Sequence, residues 1–231
     1  MPDENFIYSN LSEHPPGRLL PLLRRHLPGV DRVESEIGRY AAEWHDRNRA
    51  ALDSTDPLWV VLGDSISQGV GASSVDRGWV ALASHALHET HLRHRVLNLS
   101  VSGARTADVI HHQIPAMTRL GQEPALVTVV IGSNDMVRRT FRASLADHYR
   151  ELIRVLPRGT LVAVLKHAFG PLAEVKHDVA VAAAAGDVRM VPVRLGFRNL
   201  AEDHFHPDDL GHELLANDFY VALHEQLRPP A

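Results

Sequence analysis

The most constraining feature of this chain is an alternation between two hydrophobic periods. Five short runs, Trp59–Leu62, Val96–Leu99, Leu126–Ile131, Leu161–Leu165 and Arg189–Val193, are largely apolar and rich in valine. Runs of this kind suit strands buried on both faces of a parallel sheet, which have no wet face to alternate with. Between them the period lengthens to that of a helix. Leu145, Tyr149, Leu152, Ile153 and Leu156 keep one apolar stripe, and the run stops at Pro157-Arg158-Gly159. Residues 105 to 120 carry Val109, Ile110, Ile114 and Met117 at helical spacing, with Pro115 expected to kink that helix or end it early. Residues 79 to 92 and 173 to 185 are less regular helical patterns. A last helix is expected from about Asp208 to Leu227, with Leu210, Leu214, Leu215 and Val221 facing inward. Strands alternating with helices specify a layered α/β fold with right-handed crossovers.

The first 57 residues stand outside this alternation. Ile37, Tyr40, Ala41, Trp44 and Asn48 mark an amphipathic helix, preceded by the proline- and leucine-containing stretch PPGRLLPLLRRHLPG. Residues 1–57 therefore read as a helical extension packed on a core formed by residues 58–231. A part in forming a homodimer, or in covering a site, stays open for it.

Composition narrows the function classes. The chain of 231 residues is long enough for one domain with a sizeable core. Its formal charge is −4 with the signs interspersed, so it has no basic footprint for nucleic acid and no polybasic membrane anchor. Having no cysteine, it has no disulfides, thiol catalysis or thiolate metal sites. No apolar run approaches the roughly 20 residues of a membrane span, and the polar, acidic N-terminus lacks the order of a signal peptide. A cytoplasmic location is the resulting expectation.

In an open parallel sheet, ligands bind outside the carboxyl ends of the strands. Four polar clusters fall there: Asp64-Ser65 after the first strand, Ser100 to Arg105 after the second, Gly132-Ser133-Asn134-Asp135 after the third, and Asp203 to Pro207 after the fifth. Each alone is what a turn or helix cap requires. Together they put a hydroxyl, a carboxamide, a backbone-exposing glycine and an imidazole with a nearby carboxylate on one edge. Those are the parts of a nucleophilic acyl-transfer site.

In order and approximate spacing, the four clusters resemble the sequence blocks of the SGNH hydrolases, also called the GDSL family. Gly63-Asp64-Ser65 matches the nucleophile block, Gly103 in NLSVSGARTADV the glycine block, Gly132-Ser133-Asn134-Asp135 the Gly-x-Asn-Asp block, and Asp203-x-x-His206-Pro207 the final Asp-x-x-His block. The likeness covers residues 58 to about 225, leaving the N-terminal extension outside. Two positions depart from the pattern: Ile66 stands where leucine is usual, and His204 where glycine is common. The resemblance implies a flavodoxin-like three-layer α/β/α domain with a five-stranded parallel sheet, and no cofactor or metal.

It also implies roles. Ser65 is the nucleophile, His206 accepts its proton, and Asp203 holds the imidazole's tautomer and stabilises the imidazolium. The backbone N–H groups of Ser65 and Gly103 and the side-chain amide of Asn134 form the oxyanion hole, where losing one donor typically costs about 100- to 1,000-fold in turnover. Gly103 suits that part because a missing Cβ lets backbone approach the substrate. Asp64 and Asp135 are expected to support these groups rather than react. The first function expected is hydrolysis of a small-molecule carboxylic ester through an acyl-Ser65 intermediate. The alternative within the same chemistry is an acyltransferase placing a short or medium acyl chain on a sugar or polyol hydroxyl.

Two further readings come from other classes. A catalytically silent binding module predicts loss of a triad residue, whereas Ser65, Asp203 and His206 are all present. A metal-dependent hydrolase could use the dense cluster of His204, His206, Asp208 and His212, but would leave the serine, glycine and asparagine blocks unexplained. His85, His88, His91 and His94 recur every three residues, a spacing that walks around a helix and is expected to form a solvated face. Arg138, Arg139 and Arg142 are expected to be solvated near the Asn134 loop. Gly69, Gly71, Ala72 and Ser73 are expected to let the loop after Ser65 pass without blocking the pocket.

Overall fold

The structure, a computed structural model, describes residues 6–12 and 28–227. The Pro- and Leu-containing stretch up to residue 27 lies outside the described residues. Five strands form one sheet: β1 (Leu58–Gly63), β2 (Arg95–Asn98), β3 (Leu126–Val130), β4 (Thr160–Leu165) and β5 (Val188–Val193). Their order is β2-β1-β3-β4-β5, and every pairing is parallel. Each strand starts and ends within one residue of the apolar run that predicts it. The chain moves outward from β1 first on one side and then on the other, so the strand order reverses between β1 and β3. A crevice at such a reversal is where α/β sheets hold ligands.

Seven helices accompany the sheet among the described residues. They are α1 (Pro28–Leu52), α2 (Ser65–Gln68), α3 (Trp79–Glu89), α4 (the consecutive segments Thr106–Asp108, Val109–Gln113 and Ile114–Thr118), α5 (Arg139–Val155), α6 (Pro171–Ala184) and α7 (Asp209–Leu227). Period-two alternation along β1 sorts them into layers. Trp59 and Val61 join a core cluster with Tyr40 and Trp44 of α1, Trp79 and Leu87 of α3, and Leu215 and Phe219 of α7. Leu58, Val60 and Leu62 join the opposite cluster with Val109 of α4, Leu145 and Leu152 of α5, and Val179 of α6. The result is the three-layer α/β/α arrangement. Within the first cluster, Trp79 stacks on Phe219 with ring centroids 4.5 Å apart, a contact that adds about 0.5–1.5 kcal/mol to the burial itself. No described helix is long and apolar enough to cross a membrane.

Helix α1 is amphipathic as its pattern predicts, and it presents a stripe of four side chains to the core. Glu36 Oε2 accepts from the Gly71 N–H at 3.2 Å, and the Tyr40 hydroxyl donates to Ala72 O at 2.6 Å. Trp44 Nε1 donates to Gln68 O at 2.9 Å. Asn48 both accepts from the Asn98 N–H at 2.8 Å and donates to Asn98 O at 2.7 Å. The step of four residues keeps these groups on one face. Through Asn48 the helix also occupies hydrogen-bonding positions on β2, one of the two edge strands of the sheet.

Three expectations need correction. Pro115 does not end α4, which runs on to Thr118: a π-helical turn over Val109–Gln113 precedes it and widens the helix where proline would otherwise crowd the carbonyl four residues back. In α7 the inward face is Gly211, His212, Leu215, Ala216, Phe219 and Leu223, while Leu210 and Val221 are 51% and 61% exposed. Those two lie 11 residues apart and so share the outer face; with apolar residues on both faces, spacing could not choose between them. His94 is not solvated but buried, bonded to Ser84 Oγ at 2.9 Å with His88 stacked on it. α3 ends at Glu89, so the four histidines never shared one helix. His85, His88 and His91 are exposed as expected, His85 beside Glu89.

Candidate active site

β1 delivers Ser65 to the carboxyl edge of the sheet. Asp64 caps the short helix α2, its Oδ1 accepting from the Ile66 N–H at 3.0 Å. Ser65 is the first residue of that helix and is buried. Its Oγ lies 2.8 Å from His206 Nε2. His206 Nδ1 lies 2.5 Å from Asp203 Oδ2. Asp203 Oδ1 also accepts from the backbone N–H groups of Phe205 and His206, each at 3.0 Å. This local turn aims both side chains of the Asp-x-x-His segment the same way. Burial raises the pKa of Asp203, but the His206 hydrogen bond and charge and the two backbone donors outweigh it and hold the carboxyl below its ordinary range. A carboxylate can only accept, so His206 Nδ1 carries the proton and Nε2 is free to accept from the serine hydroxyl.

His204 has φ +58°, in the left-handed region. That backbone is why glycine is common at this point of the motif, and histidine is among the residues that tolerate it. His204 is exposed. His212 is fully buried, with Nδ1 accepting from the Trp79 N–H at 3.3 Å and Nε2 donating to Val70 O at 3.1 Å. Burial lowers its pKa to about 4, so it is a neutral strut between α7 and the loop after α2. With both ring nitrogens engaged it has no lone pair to offer a metal.

The remaining two blocks converge on the same edge. Asn134 Nδ2 donates to Ala104 O at 3.0 Å and lies 3.3 Å from Asp64 Oδ2. Asp64 Oδ2 also accepts from the Ser133 hydroxyl at 2.5 Å. Asp64 therefore ties the turn after β1 to the Asn134 loop. Full burial raises its pKa to about 6, although bonds from Ser133 and Ile66 and the charge of His206 oppose the shift. Asp135 accepts from the N–H and hydroxyl of Thr106, at 3.0 and 3.2 Å, and so joins the Asn134 loop to the start of α4. Burial raises its pKa too. Gly103 is exposed with φ +81°, and a Cβ there would meet no protein atom within 4 Å. Its conformation, rather than crowding by the protein, is what calls for glycine.

Gly71 has the opposite reason. A Cβ on it would lie 2.3 Å from Pro207 O and 2.8 Å from His206 Cβ. The loop after Ser65 thus packs directly on the histidine turn, a tighter job than staying clear of a pocket. Arg138 and Arg142 are exposed, and Arg105 and Arg138 lie over the Phe141 ring.

Two supporting residues have no counterpart in the motif reading. Gln113 Oε1 accepts from the Gly63 N–H at 2.8 Å and its Nε2 donates to Gly63 O at 2.7 Å, clamping the residue just before Asp64. Gln68, the last residue of α2, is fully buried and bonds to the Ser100–Ser102 loop. The one sequence signal for Gln113 is an amide at an inward position of an otherwise apolar helical stripe.

Sheet order and layers define a flavodoxin-like scaffold, with a hydrogen-bonded serine–histidine–aspartate chain at its strand-order reversal. Residues 61–214 match the model of the GDSL-like lipase/acylhydrolase family, and the chain belongs to that family. Among curated proteins it is 37% identical over 89 residues to the esterase TesA of Pseudomonas aeruginosa, covering 38% of this chain and 43% of that one. It is 27% identical over 199 residues to the GDSL-like esterase Rv1075c of Mycobacterium tuberculosis, covering 73% of this chain and 62% of that one. The chain thus spans less than two thirds of the length of either relative. A crystal structure of TesA superposes with a TM-score of 0.58 at 24% identity, covering 73% of this chain and 99% of that one.

Proposed function

We propose that this protein hydrolyses carboxylic esters through an acyl-Ser65 intermediate. The observation that carries the proposal is the unbroken chain from Ser65 Oγ to His206 Nε2 and from His206 Nδ1 to Asp203, at 2.8 and 2.5 Å. His206 takes the Ser65 proton as Oγ attacks the ester carbonyl carbon. Negative charge then grows on the carbonyl oxygen, which faces the Gly103 and Ser65 N–H groups and the Asn134 amide. Asn134 already gives one N–H to Ala104 O. Its longer 3.3 Å contact with Asp64 is the one the substrate oxygen replaces. The intermediate collapses when the His206 imidazolium protonates the departing alcohol, and water repeats the sequence to release the acid. Val137, Phe169 and Phe205 are exposed apolar side chains on the loops leaving β3, β4 and β5. They favour an apolar acyl portion.

Acyl transfer to a sugar or polyol hydroxyl is a second reading with its own support. Ile7, Tyr8, Ser9, Leu11 and Ser12 wall a cavity of about 460 Å³ whose other side includes Val101, Ala104, His111, His112 and Arg119. Val101 and Ala104 bracket Gly103, so the N-terminal segment encloses space beside the oxyanion loop, where an acceptor could lie shielded from water.

One experiment tests both. Wild type and Ser65→Ala are incubated with p-nitrophenyl esters of graded chain length, with and without sugar acceptors, and products are identified by mass spectrometry. Ser65-dependent release of acid and a trapped acyl-enzyme are expected. Absence of both refutes the acyl-transfer reading, and transferred acyl product exceeding free acid makes the protein a transferase.

A further inference from the structure

The N-terminal segment lies outside the family match, yet it reaches the reaction centre through one buried side chain. Gln68 closes α2, three residues after the nucleophile. Its Nε2 donates to Asn10 O at 2.8 Å and to Ser100 O at 2.9 Å. Its Oε1 accepts from Ser102 Oγ at 2.5 Å. Its own backbone carbonyl accepts from Trp44 Nε1. One fully buried amide thus spends both N–H bonds and its oxygen on three partners from two segments. Two of them, Ser100 and Ser102, belong to the loop that ends in Gly103. Asn10 returns to the same loop, its Nδ2 donating to Ser100 O at 2.9 Å and to Asn98 O at 2.9 Å, and Asn48 donates to Asn10 Oδ1 at 3.2 Å.

This arrangement is more than satisfied burial. The oxyanion hole needs N–H donors from two separate elements, the start of α2 and Gly103, at a spacing set by the tetrahedral oxygen. β1 and β2 fix where those elements begin, and a last ladder bond from the Val101 N–H to Gly63 O at 3.2 Å carries the pairing into the loop. Beyond it α2 and Ser102-Gly103 leave the sheet, so strand pairing no longer sets the separation of Ser65 and Gly103. We propose that Gln68 is a positioning residue that sets the distance between Ser65 and the Gly103 N–H. On this proposal the N-terminal segment, through Asn10 and Trp44, is a working part of the catalytic apparatus. The inference rests on the acyl-transfer reading for its kinetic consequence, though not for its structural one. A buried amide left partly unpaired moves to find partners, and a misplacement of about 1 Å in such a site costs on the order of 100-fold in rate.

The test compares wild type with Gln68→Met, which keeps length and volume but loses all three side-chain bonds, and with Ser102→Ala, which loses one. Active sites are first counted by fluorophosphonate labelling of Ser65, so that misfolded protein drops out of the rate. Per labelled site, Gln68→Met is expected to lose roughly 10- to 100-fold in kcat with KM for p-nitrophenyl butyrate within about threefold. The inhibition constant of a trifluoromethyl ketone, whose adduct carries the oxyanion, rises in proportion. Ser102→Ala shows the same pattern at smaller size, and it decides the matter if Gln68→Met does not fold. A role in folding alone would lower the number of labelled sites and leave kcat per site unchanged. Hydrogen exchange over residues 99–106 is measured in parallel and is expected to speed up about tenfold in both variants. Unchanged kcat per site and unchanged exchange overturn the proposal. A wild type without Ser65-dependent turnover refutes the acyl-transfer reading instead, and the exchange comparison then decides this proposal alone.

Discussion

Gly71→Ala is the sharpest test of how the two halves of the site are held together. Gly71 has φ +95°, and its missing Cβ leaves room for the His206-Pro207 backbone. Alanine would place a carbon 2.3 Å from Pro207 O, where ordinary contact begins near 3.4 Å. The two loops must therefore part by about 1 Å. Gly71 cannot easily retreat, because Glu36 of α1 accepts its N–H and the Tyr40 hydroxyl holds Ala72. The histidine turn yields instead, and the 2.8 Å bond from His206 Nε2 to Ser65 Oγ stretches beyond hydrogen-bond reach. A displacement of that size lowers kcat on the order of 100-fold. Left-handed strain of about 1–2 kcal/mol adds to overpacking of about 1–3 kcal/mol, which in a domain of this size lowers Tm by roughly 5–15 °C. Gly121→Ala separates the two effects, since Gly121 has φ +64° with nothing within 4 Å of a Cβ. It carries strain alone: Tm falls by about 2–6 °C and kcat stays at the wild-type value. p-Nitrophenyl acetate hydrolysis and thermal unfolding of the three proteins read both numbers. A folded Gly71→Ala within threefold of wild-type kcat, or a Gly121→Ala that loses as much rate, refutes the reasoning.

Asp64 gives a pH prediction. Its pKa of about 6 in the fold lies above the value of about 3.9 for an exposed aspartate, so the folded state binds the proton more tightly and this contribution to stability falls as pH rises between those values. Denaturant unfolding of wild type and Asp64→Asn at pH 4 to 7 should show wild type losing about 2–3 kcal/mol relative to the variant across that interval; a constant difference contradicts it. Asn134→Ala should lower kcat about 100- to 1,000-fold with little change in KM, because the amide acts on charge that appears only in the transition state, and steady-state kinetics showing a KM effect alone would count against that role. His204→Gly removes a left-handed histidine and should raise stability by about 0.5–1 kcal/mol, seen as a Tm gain of roughly 1–4 °C with kcat unchanged; a loss of stability would show that the His204 side chain matters more than its backbone.

The sheet was legible because its strands are buried on both faces, and a strand with no wet face betrays its ends by composition. Helix faces were legible only where one side is polar. α5 shows its inward stripe of Leu145, Tyr149 and Leu152 plainly. α7 carries apolar residues on both faces, and its true core face runs through His212, a polar residue that spacing gives no reason to place inside. Pro115 misled because the π turn that accommodates it is a hydrogen-bond choice without a composition signature. The four polar clusters were legible for a chemical reason: few residue types suit nucleophilic acyl transfer, and each cluster must follow a strand to reach the edge where the structure gathers them.

The framework behind those blocks was not legible, and one physical problem explains most of it. At the carboxyl edge the strands diverge toward their loops, and the last backbone groups lose strand partners while still buried, where each must be satisfied. The chain solves this with carboxamides used as detached peptide groups, each offering one donor and one acceptor in a plane. Asn48 takes both backbone groups of Asn98 at the end of β2, Gln113 takes both of Gly63 at the end of β1, and Gln68 spans the gap to the oxyanion loop. The partners of Gln113 and Asn48 lie 50 residues away along the chain. An asparagine or glutamine on a helix looks like an ordinary polar residue until the fold shows which carbonyl and N–H it faces. Motifs disclose what reacts because reactivity restricts residue type. What holds the reacting groups in register restricts only geometry, and geometry appears only when the chain is folded.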